Sequence, residues 1–396
     1  HRGAAVPLLT ALLFTACGAP SAPPPASLPA SAPPASSPSP SPSPGPGPGP
    51  SASSSSSPAP PPVAAPTGLA RGTKTLADLA LAEGDAAFER DDLAKAKDAY
   101  ARALRLAPGD PAPHAGLARV ELAAPSVVLA FGSAPKNQRL VALASDLATA
   151  RARSSDFAPL YREEGKALLV LGRGDEAIER LTRGVELAPN DLEAVSTLAV
   201  TLMSTGKSAL ALPHLRHAVA LAPNEAGPLT NLGTALLLTG DVGAAADAFE
   251  KVVALEPNDA RAHSDFGTAC LTQGRIERAV TELTRATELD SARATYRSNL
   301  AHALELAGKL EEARASAKRA TELDPKLGAA WINAGTIAAK QKRYADARAA
   351  FQRASALDPT DPRPKANLEE LEALEAKPAA APDPRQYWDM RRNPAH

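Results

Sequence analysis

The chain has 396 residues, a formal net charge of −1, 39 prolines and only seven Phe, five Tyr and two Trp. The balanced charge leaves no basic footprint for nucleic acid. Two cysteines exclude a disulfide scaffold and a four-cysteine zinc site.

The first residues read as a leader. Arg2 precedes an apolar run from Ala4 to Ala16, and Cys17 follows. Such a run is too short to span a bilayer but suits a signal-peptide core. Leu13-Phe14-Thr15-Ala16-Cys17, with Gly18 and Ala19 behind it, resembles the lipobox of bacterial lipoprotein signal peptides, although Phe14 departs from the aliphatic residue favoured there. The resemblance implies that residues 1–16 are a removed signal peptide and that Cys17 carries a diacylglycerol thioether and an acylated amino group. Two or three acyl chains hold a protein on a membrane where one does not. Gly18 in place of Asp implies, by the same resemblance, a cell-envelope location at the outer membrane, facing the periplasm or the cell surface. A plain secretory signal with an incidental cysteine is the alternative.

Residues 17–68 are expected to be a disordered tether. Nineteen of the prolines lie between Pro20 and Pro66, five serines run from Ser53 to Ser57, and no charge stands between Arg2 and Arg71. Such a segment cannot bury enough apolar surface to offset the entropy of ordering. Alternating proline favours polyproline II, which reaches on the order of 100 Å over this length.

Beyond the tether the sequence repeats. Leu-Ala-Pro ends at Pro189 and Pro223 and Leu-Glu-Pro at Pro257, each 34 residues after the last, and Leu-Asp-Pro at Pro325 and Pro359 keeps the same step. Numbering each repeat so that this proline is position 32, position 8 holds Gly84, Gly165, Ala199, Gly233, Gly267, Ala301 and Gly335. Position 20 is always Ala, from Ala96 to Ala347, and position 24 carries Tyr100, Leu181, Leu215, Phe249, Leu283, Ala317 and Phe351. Small residues at fixed places let two helix backbones approach, and the bulky one fills the space beside them. Gly172, Gly206, Gly240, Gly274 and Gly308 fall where a left-handed helix cap favours Gly. This punctuation resembles the tetratricopeptide repeat family. The resemblance implies an all-α, right-handed superhelical solenoid of helix pairs. Eight repeats are expected over 77–361, the second (111–157) interrupted by an insertion within Ala123–Lys136. A capping helix over 362–377 should present Asn367, Leu368, Leu371 and Leu374 to the solenoid, and 378–396 should be a disordered tail.

No catalytic constellation stands out. His214 and His217 share a helix without an acidic or thiol companion, Cys270 sits in an apolar stripe, and no phosphate loop or nucleophile elbow occurs. The reading is of a protein that is not an enzyme and that uses no cofactor, metal or small-molecule substrate. In the resembled family the first helix of each repeat lines a concave face, where positions 2, 5, 6, 9 and 12 meet a bound segment. Carried onto this chain, position 6 gives Asn231, Asp265, Asn299 and Asn333, a ladder able to bond an extended backbone. A packing role for the asparagines is the alternative. Arg162 and Lys166 stand four apart, as a carboxylate receiver or a solvated charged pair. The functional expectation is an interaction scaffold that binds an extended or helical protein segment and assembles or localises an envelope complex. Alternatives are a pilotin-like factor for secretin or pilus assembly and the regulatory array of a glycosyltransferase; the last needs a catalytic domain, and none follows Asp361.

Overall fold

The computed structural model describes residues 63–64 and 67–376; the leader, Cys17, nearly all of the tether and the tail 378–396 lie outside them. The described residues contain 17 α-helices and no strand. They pair as α1 (Leu76–Glu89) with α2 (Leu93–Leu106), α3 (Pro111–Leu122) with α4 (Gln138–Arg153), α5 (Ala158–Val170) with α6 (Gly174–Leu187), and α7 (Leu192–Ser204) with α8 (Ser208–Leu221). The series continues as α9 (Ala226–Thr239) with α10 (Val242–Leu255), α11 (Ala260–Thr272) with α12 (Ile276–Leu289), α13 (Ala294–Leu306) with α14 (Leu310–Leu323), α15 (Gly328–Lys340) with α16 (Tyr344–Leu357), and ends on α17 (Pro362–Ala376).

Short polar signals set the helix ends. Asp92, Asp110, Asn137, Asp191, Asp241 and Asp259 each accept a first-turn amide at an N-cap. Between the helices of five pairs a glycine takes a left-handed conformation, with φ from +75° at Gly274 to +87° at Gly240. The amide after that glycine donates to the carbonyl five residues back, as Arg173 does to Leu168 at 2.9 Å. In the first and last pairs Asp91 and Lys342 take the same conformation, at φ +60° and +59°, without being glycine.

Within a pair, position 8 of the first helix meets position 24 of the second. A methyl group on Gly84 would lie 2.4 Å from the Tyr100 ring, and one on Gly335 would lie 2.4 Å from Phe351. Where position 8 is Ala, position 24 is not aromatic: Ala199 is matched by Leu215 and Ala301 by Ala317. The position-20 alanines from Ala96 to Ala347 are fully buried. The apolar interior therefore runs from repeat to repeat as linked small clusters around Tyr100, Leu181, Phe249 and Phe351, as a solenoid requires.

Two details differ from expectation. In α17, Leu371 is buried against Phe351 and Ala347 while Leu374 is exposed, so the capping stripe is narrower than its leucines suggest. Residues 67–68, read as tether, lie against Arg119 and Asp85, as described below. The insertion loop, 123–137, folds over the end of α5: Gly132 and Ala134 amides donate to Leu169 and Val170 carbonyls at 3.0 and 3.1 Å. Ala130 packs on Leu169 and Val200.

Candidate functional site

The first helices of successive pairs approach one another, α1 on α3, α3 on α5, α5 on α7, α11 on α13 and α13 on α15. Among the described residues no such close pairing joins successive second helices. The layer with the tighter spacing is the inner one, so the first helices form the concave face.

The N-terminal part of that face is charged and occupied by the protein itself. Arg162 on α5 is only 2% exposed. Its Nη1 lies 2.7 Å from Asp191, the N-cap of α7, and its Nε lies 2.8 Å from Glu163 and 3.3 Å from Glu193. The Lys166 ammonium is 3.1 Å from Glu163 and pairs also with Glu193. Burial alone would raise the Glu193 carboxyl; Lys166 and Arg162 overcome it and hold that group well below the usual carboxylate range. Burial likewise opposes the Arg162 cation, but Glu193, Glu163 and Asp191 drive its pKa above the ordinary arginine value. Arg119 on α3 continues the chain of charges, 3.9 Å from Glu163 and 3.8 Å from Asp85 on α1.

This corrects the expectation for Arg162 and Lys166. They are not a solvated pair: both cations are buried against the fold's own carboxylates, and only Arg162 Nη2 is left without a hydrogen-bond partner. Glu163 is adjacent in sequence, but Asp191 and Glu193 come from the N-terminus of α7, beyond the reach of helical spacing within α5.

Residues 67–71 run along the inner side of α1. The Leu69 and Ala70 amides donate to Asp85 at 2.6 and 3.0 Å, and Arg119 donates to the Thr67 carbonyl at 2.8 Å. Sequence reasoning missed Asp85 and Arg119 as groove residues. Both occupy position 9, the register of Lys166, and extending that register into the first two repeats would have found them.

The C-terminal part is nearly neutral. Asn333 donates to the Ser298 carbonyl at 2.9 Å and to its hydroxyl at 3.0 Å, bridging α15 to α13. Asn299 donates to Thr268 on α11 at 3.5 Å, a long contact. Asp265 is buried, with the Arg261 guanidinium 3.4 Å away. Desolvation pushes its carboxyl up to about 6 against the pull of Arg261. Asn231, Thr230, Leu237, Thr268, Leu271 and Asn299 are half-buried along this stretch, and Leu238 and Leu306 are exposed. The ladder thus divides: Asn333 ties successive helices together, Asp265 lies beneath the surface, and Asn231 and Asn299 keep accessible area. Cys270 is buried, and burial pushes its thiol up, as befits a packing residue. Among the described residues no cluster of three metal-ligating side chains occurs, and no helix is long and apolar enough to cross a membrane.

Comparisons agree with this architecture. Residues 162–226 and 298–362 match one family model described as tetratricopeptide repeat, and residues 236–303 match a second of the same description. Residues 162–226 and 236–362 therefore carry tetratricopeptide repeats, within an all-α solenoid. Among solved structures it is similar to the APC/C hetero-tetramer Cut9-Hcn1, at 16% identity and a TM-score of 0.52, over 74% of this chain and 55% of that one. The chain thus spans about half the length of that relative. YrrB, described as a TPR protein with an unusual peptide-binding site, aligns at 23% identity and TM-score 0.39 over 48% of this chain and 99% of its own. PilF of Pseudomonas aeruginosa aligns at 18% identity and TM-score 0.46 over 55% and 99%. These likenesses concern the fold. No curated protein matches the sequence.

Proposed function

We propose that the protein is a non-enzymatic interaction scaffold that holds a segment of another protein on its concave face. One observation carries this reading: from α9 to α13 the inner layer offers a strip of partly accessible Thr, Asn and Leu side chains, and among its charges Arg261 is paired with Asp265 and Glu305 with His302 and Lys340. Such a strip suits an extended or helical segment bound through backbone hydrogen bonds and aliphatic contacts, rather than a strongly charged ligand. We further propose that residues 1–16 are a signal peptide, that Cys17 is lipidated, and that the tether sets the solenoid away from the membrane it is anchored in. The lipobox-like Leu13–Cys17 and the proline spacing support this part of the reading. A role in assembling or localising an envelope complex, including a pilotin-like one, follows from that layout.

Two experiments test the reading. Asn231→Trp with Leu238→Trp, both on α9 at the first end of the strip, should displace partners captured by the wild type from solubilised envelopes; an unchanged set contradicts the groove. Metabolic labelling with a fatty acid should mark the wild type and leave Cys17→Ala unmarked. An unlabelled wild type removes the anchor and leaves the scaffold.

A further inference from the structure

The short segment before α1 makes contacts of the kind expected of a bound peptide rather than of a loop. From Thr67 to Arg71 it runs antiparallel to α1, from Asp85 at position 9 back to Asp78 at position 2, both on the inner face. Its backbone is held at successive points. Thr67 accepts from the Arg119 guanidinium at 2.8 Å, Leu69 and Ala70 donate to one Asp85 oxygen at 2.6 and 3.0 Å, and Arg71 donates to Asp78 at 2.6 Å. Two side chains are read as well. Leu69 is 3% exposed within the first hydrophobic cluster, and the Arg71 guanidinium forms a two-point pair with Asp110 at 2.8 and 2.9 Å while lying over the Phe157 ring. Gly72 and Lys74, both at positive φ, then turn the chain into α1.

A structural lid for the end of the solenoid would lie elsewhere. The outward face of α1 is left uncovered, with Leu76 72% and Leu79 54% exposed, whereas the segment lies on the face that successive first helices share. Without the segment, Asp78 and Asp110 would lose the Arg71 amide and guanidinium, and Asp85 would keep the Tyr100 hydroxyl at 2.8 Å and Arg119, which it shares with Glu163. That balance favours a ligand bearing a positive charge.

We infer that α1 and α3 form a peptide-binding site that Thr67–Arg71 occupies in cis, and that the same site takes in trans an extended segment with an apolar side chain followed two residues later by a cation. Only residues 72–75 separate the cis ligand from α1, so its effective concentration is in the millimolar range or above, and a partner must displace it. In this arrangement the end of the tether acts as a competitor for the first two repeats. The site is separate from the strip on α9–α13, so failure here leaves that reading standing, and loss of capture there leaves this one.

The test uses the full chain and a fluorescein-labelled peptide of residues 66–72, Pro-Thr-Gly-Leu-Ala-Arg-Gly, read by anisotropy. Leu69→Asp with Arg71→Glu should eject the resident segment, and this variant should bind the peptide at least ten-fold more tightly than the wild type. Adding Asp110→Asn, which keeps an N-cap for α3, should weaken that binding several-fold. Equal binding by wild type and variant, or no binding by a folded variant, overturns the proposal. Should the variant fail to fold, hydrogen exchange on the wild type decides. The Leu69 and Ala70 amides should exchange at least 100-fold faster than the interior amides of α1, through release of the segment alone. Exchange at the same rate as α1 would make the segment part of the fold and overturn the inference.

Discussion

Buried charge dominates at the residue scale. Arg162, Lys166, Glu163 and Asp191 are buried and pair with one another and with the partly exposed Glu193, although Arg162 Nη2 keeps no hydrogen-bond partner. Arg162→Met is expected to lower stability by about 3–5 kcal/mol in urea unfolding, because Asp191 would stay buried without its cation and Glu163 would keep only Lys166 and the more distant Arg119. A loss below about 1 kcal/mol would fit a solvated residue and contradict the network. Asp265 behaves in the opposite sense. Its folded pKa of about 6 lies above the ordinary 3.8, so its contribution is fully present below about pH 4 and is lost as pH rises through 6. Asp265→Asn should therefore melt higher than the wild type, with the gap opening between pH 4 and 6 and staying constant above 7. A gap independent of pH would show that Asp265 is not desolvated as described. Part of this balance was legible in the sequence, since Glu163 stands beside Arg162 and Arg261 lies four residues before Asp265, but Asp191 and Glu193 come from the next helix.

At the scale of the helix pair, the packing rule was legible because it is local: position 8 and position 24 lie in one repeat and meet at a fixed crossing. Gly335→Ala should cost about 1–3 kcal/mol through contact with the Phe351 ring. In a Phe351→Ala background the same change should be nearly neutral, since Ala301 and Ala317 already coexist. Equal costs in both backgrounds would refute the coupling. The turn residues support a separate prediction. Lys342 takes at φ +59° a place that glycine fills in five other pairs, so Lys342→Gly should raise stability by about 0.5–1 kcal/mol in thermal unfolding, and a loss would contradict it. A further inter-repeat tie escaped the sequence reading. At position 4, Tyr161, His263 and Trp331 each hydrogen-bond the carbonyl at position 32 of the preceding repeat, those of Ser155, Pro257 and Pro325, at 2.9 to 3.0 Å. Three unlike side chains at one register position conceal a shared role.

For the whole molecule, regular repetition explains how so few aromatic residues support so long a chain: each pair needs one filler and one small partner. The insertion and the segment 67–71 break that regularity, and both lie against inner-face elements in the N-terminal repeats. Neither was legible as such. The insertion shows only as lost periodicity, and Leu69 is a lone apolar residue at the edge of a proline-rich run. What they leave open is the neutral strip on α9–α13, and the proposed function rests on it. The most direct test places a photo-crosslinking amino acid at Leu238, exposed on the inner helix α9, or at Leu210, exposed on the second helix α8. The account predicts a discrete protein adduct from position 238 and none from 210 in intact cells. Adducts from 210 alone, or equally from both, would contradict it.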